Sequence, residues 1–213
     1  MGFNLYGTII ILAIAAGIFS ADALGYGCGI TKRTLFYTSF FNLICILMFA
    51  FFYVFVSSGG TAFGISGLGG IAGLMTGTVF SVYIHGDHPT ELLTSWVISA
   101  PLMYSVAKLA CLNAGCCSGN LFGIPVQIVE SVSFMVIYLI SLLVFIKGKR
   151  KIFAAYIAMG LSFTARFGLD YFRDSHSGHI ISAEQIIILI AGIAALCLIA
   201  LRKRLPLPGG LKK

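Results

Sequence analysis

The stretch IPVQIVESVSFMVIYLISLLVFI, residues 124–146, contains one charged side chain, that of Glu130. An α-helix rises 1.5 Å per residue, so about 20 residues cross the roughly 30 Å hydrocarbon core of a bilayer. An apolar run of this length therefore predicts a transmembrane helix. Glu130 is a functional candidate by position alone, because an ionisable residue within a membrane span is costly.

Similar apolar runs recur along the whole 213-residue chain, which is 59% hydrophobic and only 10% charged, against about 25% charged in soluble domains. The sequence predicts a single all-α, polytopic transmembrane domain over residues 1–213, with no room for a large soluble domain. The first run lacks a basic n-region, so we expect a retained span and not a signal peptide. We predict seven transmembrane helices, near residues 5–25, 36–57, 61–84, 94–114, 124–146, 152–172 and 182–201.

The positive charge of the chain indicates its orientation. Basic residues cluster at 32–33, at 147–151, and at 202–204 with 212–213. Loops rich in Lys and Arg stay cytoplasmic, so seven spans place the N-terminus outside and the C-terminus in the cytoplasm. The net charge of +7 is then explained by topology, and we expect no nucleic-acid partner.

The third predicted span is rich in glycine, with the sequence GGTAFGISGLGGIAGLMTG at residues 59–77. Small residues allow the backbones of neighbouring helices to approach closely inside a membrane. This segment therefore predicts close packing against another helix.

Four charged residues from three predicted spans lie in the outer third of the bilayer. Arg166 follows the basic loop at 151 by fifteen residues, or roughly 22 Å of helix, and Lys108, Glu130 and Asp170 lie at similar depth. Arg166, Asp170 and Arg173 recur at i, i+4 and i+7, which places them on one helical face. Two interpretations stay open: a site for an anionic lipid phosphate, or structural ion pairs of Arg166 with Glu130 or Lys108 with Asp170.

The segment KLACLNAGCCSGN, residues 108–120, holds three cysteines, Cys111, Cys116 and Cys117, near the predicted outer surface. A disulfide between the two adjacent cysteines would be strained. The thiols can serve as small apolar packing residues, as a reactive nucleophile beside the cations, or as metal ligands.

Six short motifs together resemble the prolipoprotein diacylglyceryl transferase family of bacterial inner-membrane enzymes. They occur in the order typical of that family and extend from Tyr6 to about residue 185. The motifs are LYGTIIILAIAAG (5–17), GISGLGGIAG (64–73), KLACLNAGCCSG (108–119), PVQIVES (125–131), RFGLDYFRD (166–174) and HIISAEQ (179–185).

The resemblance implies seven spans with the N-terminus outside, a site facing outward, and no metal or organic cofactor. It implies transfer of a diacylglyceryl group from a phosphatidylglycerol-like phospholipid to the thiol of a preprotein that bears a lipobox. The catalytic candidates are Arg166 and Lys108 for the phosphate, with Glu130 and Asp170 to orient the cations or accept a proton. The candidates for substrate binding are Tyr6, Gln127, Arg173, Asn120 and Cys116.

The sequence departs from the family pattern at four positions. Leu68 replaces a histidine, Cys116 replaces a glutamate, Lys108 replaces an arginine, and Asp170 replaces a longer glutamate. These changes allow a paralogue with another lipid or acceptor. Two other functions stay open: a thiol-redox membrane protein that uses the clustered cysteines, and a lipid-binding or transport relative without catalysis.

The segment DSHSGH, residues 174–179, has the pattern D-x-H-x-x-H in a predicted extracytoplasmic loop. It can be a solvated loop, or it can supply the proton transfer that the missing histidine would perform in the family. A metal site is the third interpretation, although the spacing provides no third strong ligand on a defined element.

Overall fold

The computed structural model describes residues 5–85, 88–116, 118–148 and 151–174, and all structural statements below refer to these. Six helices in this part of the chain are long and apolar enough to cross a membrane. The only strands there form a two-residue hairpin, so the fold is that of an all-α, multi-pass membrane protein. The elements are α1 (Leu5–Gly27), α2 (Lys32–Ser57), α3 (Gly67–Ile84), α4 (Pro89–Ala114), β1 (Asn120–Leu121), β2 (Ile124–Pro125), α5 (Val126–Lys147) and α6 (Ile152–Asp170).

The first six predicted spans are confirmed as helices, with shifted ends. The third helix begins at Gly67, six residues later than predicted, because the Ser66 side chain accepts a hydrogen bond from the Gly69 amide and caps it. The fourth begins earlier than predicted, at Pro89, a residue that suits the first helical turn. The seventh predicted span, residues 182–201, lies outside the described residues.

Helix α4 lies at the centre of the bundle and packs against α1, α3, α5 and α6. Hydroxyl groups join α4 to α1, and α1 in turn to α5. The Ser99 hydroxyl donates to Ser20 of α1 at 2.9 Å, and Ser20 bonds the Tyr138 hydroxyl of α5 at 3.0 Å. Hydrogen bonds of this kind hold helices together where surrounding lipid offers no hydrophobic driving force.

Helices α2 and α3 make a close backbone contact, and glycine is the reason. Gly69, Gly73 and Gly77 recur every four residues and lie on one face of α3. A Cβ atom at Gly73 would collide with the Cys45 carbonyl of α2. The close approach also lets Thr78 donate a hydrogen bond to the buried side-chain carbonyl of Asn42 at 3.3 Å. The predicted glycine-mediated packing is therefore confirmed.

We expect Gly73→Ala to destabilise the protein by about 1–3 kcal/mol, because the added methyl group forces α2 and α3 apart. Gly70→Ala is the matched control, since its Cβ would meet only Ile46 at an ordinary 3.9 Å. The midpoints of thermal unfolding in detergent micelles test the pair. Equal midpoints for both variants would show that α2 and α3 do not depend on this contact.

Candidate functional site

A short hairpin follows the end of α4 and leads directly into α5. Gly115 caps α4 in the left-handed conformation at φ 67°. Strands β1 and β2 then pair antiparallel across a two-residue turn, Phe122–Gly123, in which both φ angles are positive at 51° and 84°. Such turns match the twist of the strands. The hairpin reverses the chain in few residues and brings the start of α5 beside the end of α4.

The segment before the hairpin packs on the residues that follow α6. The Asp174 amide donates to the Ser118 carbonyl at 3.0 Å, and Gly119 forms a β-bridge with Arg173. A Cβ atom on Gly119 would collide with the Phe172 carbonyl, so this approach requires glycine. The contact fixes the backbone of Arg173 above the end of the bundle.

Glu130 of α5 is the centre of a buried ionic cluster. The Arg173 guanidinium lies 2.6 Å from Glu130 Oε1, and the Arg166 guanidinium lies 3.3 Å from the same oxygen. Lys108 Nζ lies 2.8 Å from Glu130 Oε2, in ion-pair contact without hydrogen-bond alignment. Glu130 is 0% exposed, so one carboxylate serves three cations away from solvent.

Asp170 completes the cluster from the last residue of α6. It lies 3.1 Å from the Arg166 guanidinium and 3.8 Å from that of Arg173. None of the five charged residues of the cluster is more than 9% exposed. Three cations and two carboxylates of the described residues therefore lie together, shielded from solvent.

The structure brings together the four catalytic candidates and Arg173, with two corrections to the predicted details. Arg173 does not lie on α6, which ends at Asp170; a turn carries it back over the helix end. The ion pair of Lys108 is with Glu130 and not with Asp170. The predicted pairing of Arg166 with Glu130 is present.

Tyr104 belongs to the site although the sequence reasoning did not select it. Lys108 Nζ lies 5.0 Å from the centre of the Tyr104 ring, within cation–π range. The Tyr104 hydroxyl lies 3.5 Å from Glu130 Oε1. The centre of the Tyr104 ring lies 4.2 Å from the centre of the Phe134 ring. The i, i+4 spacing of Tyr104 and Lys108 on one helix was the available signal.

Gln127 and Cys116 lie together at the start of α5. The Gln127 amide nitrogen donates to the Cys116 carbonyl at 2.9 Å. The Gln127 carbonyl oxygen is buried and accepts no hydrogen bond from the described residues. Cys116 carries a free thiol that donates to the Cys111 carbonyl at 3.6 Å, and Cys111 is also unbridged. Cys117 lies outside the described residues.

Two predicted binding residues lie beyond the cluster. Asn120 is exposed in β1, where it is paired in register with Pro125. The bond between Ser20 and Ser99 fixes the register of the antiparallel helices α1 and α4. In that register Tyr6 lies about five residues, or about 8 Å, closer to the end of the bundle than Lys108.

The family histidine position is occupied by Leu68 of α3. Leu68 is half-buried in the first turn of α3, the helix that packs mainly on α2. The described residues contain no group of three metal-ligating side chains. His176 and His179 of the D-x-H-x-x-H segment lie outside the described residues, so that prediction is untested.

A further membrane carboxylate, Asp22 of α1, lies toward the opposite end of the bundle. It is half-buried and accepts a hydrogen bond of 2.6 Å from Ser39 of α2. No ion pair of Asp22 occurs among the described residues. Asp22 thus joins two helices and does not extend the ionic cluster across the membrane.

No protein-family model matches the chain, and no curated protein matches it. Membership of the diacylglyceryl transferase family therefore stays a prediction.

Removal of the Glu130 charge should destabilise the fold severely. Glu130→Gln leaves Lys108, Arg166 and Arg173 short of a buried counter-charge, and loss of one partner of a buried ion pair costs about 3–5 kcal/mol. Lys108→Gln combined with Glu130→Gln should recover part of that loss. A double-mutant cycle on the free energy of unfolding should give a coupling above about 1 kcal/mol, and strict additivity would contradict the ion pair.

The ring of Tyr104 should matter more than its hydroxyl group, whose contact with Glu130 is at the long limit for a hydrogen bond. We expect Tyr104→Leu to lose about 2 kcal/mol of stability, because the contacts with Lys108 and Phe134 disappear. Tyr104→Phe keeps both contacts and serves as the control. The same loss in both variants would assign the effect to the hydroxyl group.

Proposed function

We propose that this protein transfers a diacylglyceryl or related lipid group from an anionic phospholipid to an acceptor thiol at the outer face of a bacterial cytoplasmic membrane. The observation that carries the proposal is the convergence of three buried cations, Lys108, Arg166 and Arg173, on the carboxylate of Glu130. Ionisable groups inside a membrane span are costly and therefore indicate a functional site. A phosphate group is the natural ligand of several cations held this close together.

The side chains of the cluster suit a phosphate chemically. Arg166 and Arg173 each present a planar set of donors that match phosphate oxygens in pairs, whereas Lys108 acts as a point charge. The three reach Glu130 from α4, from α6 and from the turn after α6, so they surround one small volume. Preorganised donors of this kind stabilise negative charge that develops on a leaving phosphate.

We also propose that the chain crosses the membrane seven times, with the N-terminus outside. Lys32, Arg33, Lys147 and Lys151 all lie at the end of the bundle opposite the ionic cluster, at the first turn of α2, the last turn of α5 and the start of α6. Basic residues concentrate on the cytoplasmic side. This distribution supports a site that faces the outside.

In the proposed reaction the acceptor sulfur attacks the carbon of the diacylglyceryl group that is bonded to a phosphate oxygen. A carbon–sulfur bond forms, the carbon–oxygen bond to phosphate breaks, and glycerol phosphate leaves with the electron pair. Arg166, Lys108 and Arg173 would hold the phosphate and stabilise its growing charge. The thiol proton would pass to a carboxylate or to the departing phosphate.

The two carboxylates suit different tasks in this scheme. Glu130 contacts three cations, so we assign it to positioning them. Asp170 contacts Arg166 and Arg173 and is the last residue of α6, so we assign it to accept the proton. Gln127, with an unused buried carbonyl oxygen, would accept a hydrogen bond from the lipid head group or the acceptor.

The proposal predicts that purified protein in vesicles with phosphatidylglycerol modifies a lipobox peptide. Arg166→Lys should lower the rate at least about tenfold although it keeps the charge, because the paired hydrogen bonds to phosphate are lost. Lys108→Arg should retain activity. Lys147→Ala removes an exposed charge at the opposite end and is the control.

The transfer is followed by the mass increase of the peptide, and each variant is first shown to unfold at the wild-type temperature. A peptide that is never modified by wild-type protein would refute this reaction. Loss of activity in Cys116→Ser, with Arg166→Lys fully active, would favour the thiol-redox function in its place.

A further inference from the structure

A groove opens between α2 and α3 at the end of the bundle opposite the ionic cluster. The glycine repeat that holds these helices together ends at Gly77, and larger side chains occupy the remaining turns of α3. A groove of about 240 Å³ lies between the two helices there. Its lining residues are Tyr37, Phe40, Phe41, Ser81, Ile84 and His85.

The walls of the groove are apolar and largely aromatic. The rings of Phe40 and Phe41 lie on the α2 side, and Ile84 lies on the α3 side. All three side chains are exposed at the outer surface of the bundle, so the groove is reached from the surrounding lipid. A helix is about 10–12 Å wide, which is too large for this space, whereas a single acyl chain is slender.

One end of the groove carries positive charge. The Arg33 guanidinium lies 5.7 Å from the centre of the Tyr37 ring, which is itself part of the wall. Lys32 precedes it and lies 5.6 Å from the Tyr26 ring. Both cations are exposed in the first turn of α2, at the level where lipid head groups lie.

We propose that this groove is a binding site for an anionic phospholipid of the leaflet opposite the ionic cluster. One acyl chain lies against Phe40, Phe41 and Ile84, and the phosphate pairs with Arg33. Apolar walls accept the chain at about 0.8 kcal/mol per buried methylene, and the cation selects the anionic head group. This site is separate from the proposed transferase site and does not depend on it.

The test counts the phospholipids that stay bound when the protein is released from nanodiscs of mixed phosphatidylglycerol and phosphatidylcholine, by mass spectrometry of the intact protein. Wild-type protein should retain two phosphatidylglycerol molecules, one per site. Arg33→Ala should lower occupancy of the groove about fivefold, since one cation near the surface contributes about 1 kcal/mol. Lys147→Ala, at the same end of the bundle, should retain both lipids.

A second pair of variants tests the groove itself. Ile84→Trp fills it with a larger ring and should remove the same lipid, whereas Tyr83→Trp changes the neighbouring exposed residue and should not. Phosphatidylglycerol with a photoreactive group on its acyl chain should label residues 37–41 and 81–85. Ile84→Trp should abolish that label.

The outcomes separate this site from the transferase proposal. Arg166→Gln should remove only the lipid of the ionic cluster and leave the label in the groove. Equal losses in Arg33→Ala and Lys147→Ala, or a label that persists in Ile84→Trp, would overturn the proposal. A groove label without any transfer activity would refute the transferase function alone.

Discussion

The arrangement of the bundle end depends on one carboxylate, that of Glu130, which faces three cations inside the protein. Lys108 reaches it from α4, Arg166 from α6, and Arg173 from the turn that follows. These charges are buried, so each cation must keep a partner. Glu130 therefore fixes α4, α5 and α6 relative to one another, and the hairpin between α4 and α5 must fold tightly enough to permit it.

In the rest of the described bundle, glycines and hydroxyl groups join the helices. Glycines bring α2 against α3, and the hydroxyl groups of Ser20, Ser99 and Tyr138 join α1, α4 and α5. Lipid tails are as apolar as leucine, so apolar burial alone cannot choose among helix neighbours in a membrane. Small residues and a few hydrogen bonds make that choice here, and they leave the large apolar side chains facing lipid.

The sequence predicted the six described helices because long apolar runs report directly on the thickness of the bilayer. It also predicted that Lys108, Glu130, Arg166 and Asp170 converge. Charged side chains at equal depth on neighbouring spans face the bundle interior and pair with one another. Helix ends were less predictable. The start of α3 depends on a cap at Ser66, a local hydrogen bond that hydropathy does not register.

The details of the cluster could not be predicted for a different reason. Arg173 follows Asp170 at helical spacing, yet the chain leaves the helix there because the loop residue Gly119 pairs with its backbone. Tyr104 was missed because a tyrosine in an apolar span resembles an interfacial anchor until its neighbours are known. The backbone pairing of Arg173 and the contacts of Tyr104 with α5 join segments far apart in the chain, and spacing along one helix does not reveal them.

The cations of the cluster also bear on which lipids suit it. Lys108, Arg166 and Arg173 all lie within ion-pair distance of Glu130. A zwitterionic head group brings its own ammonium toward Arg166 and Arg173, where like charges repel. An anionic head group without a cation meets no such repulsion. The three cations therefore favour anionic over zwitterionic phospholipids, whichever acceptor receives the lipid group.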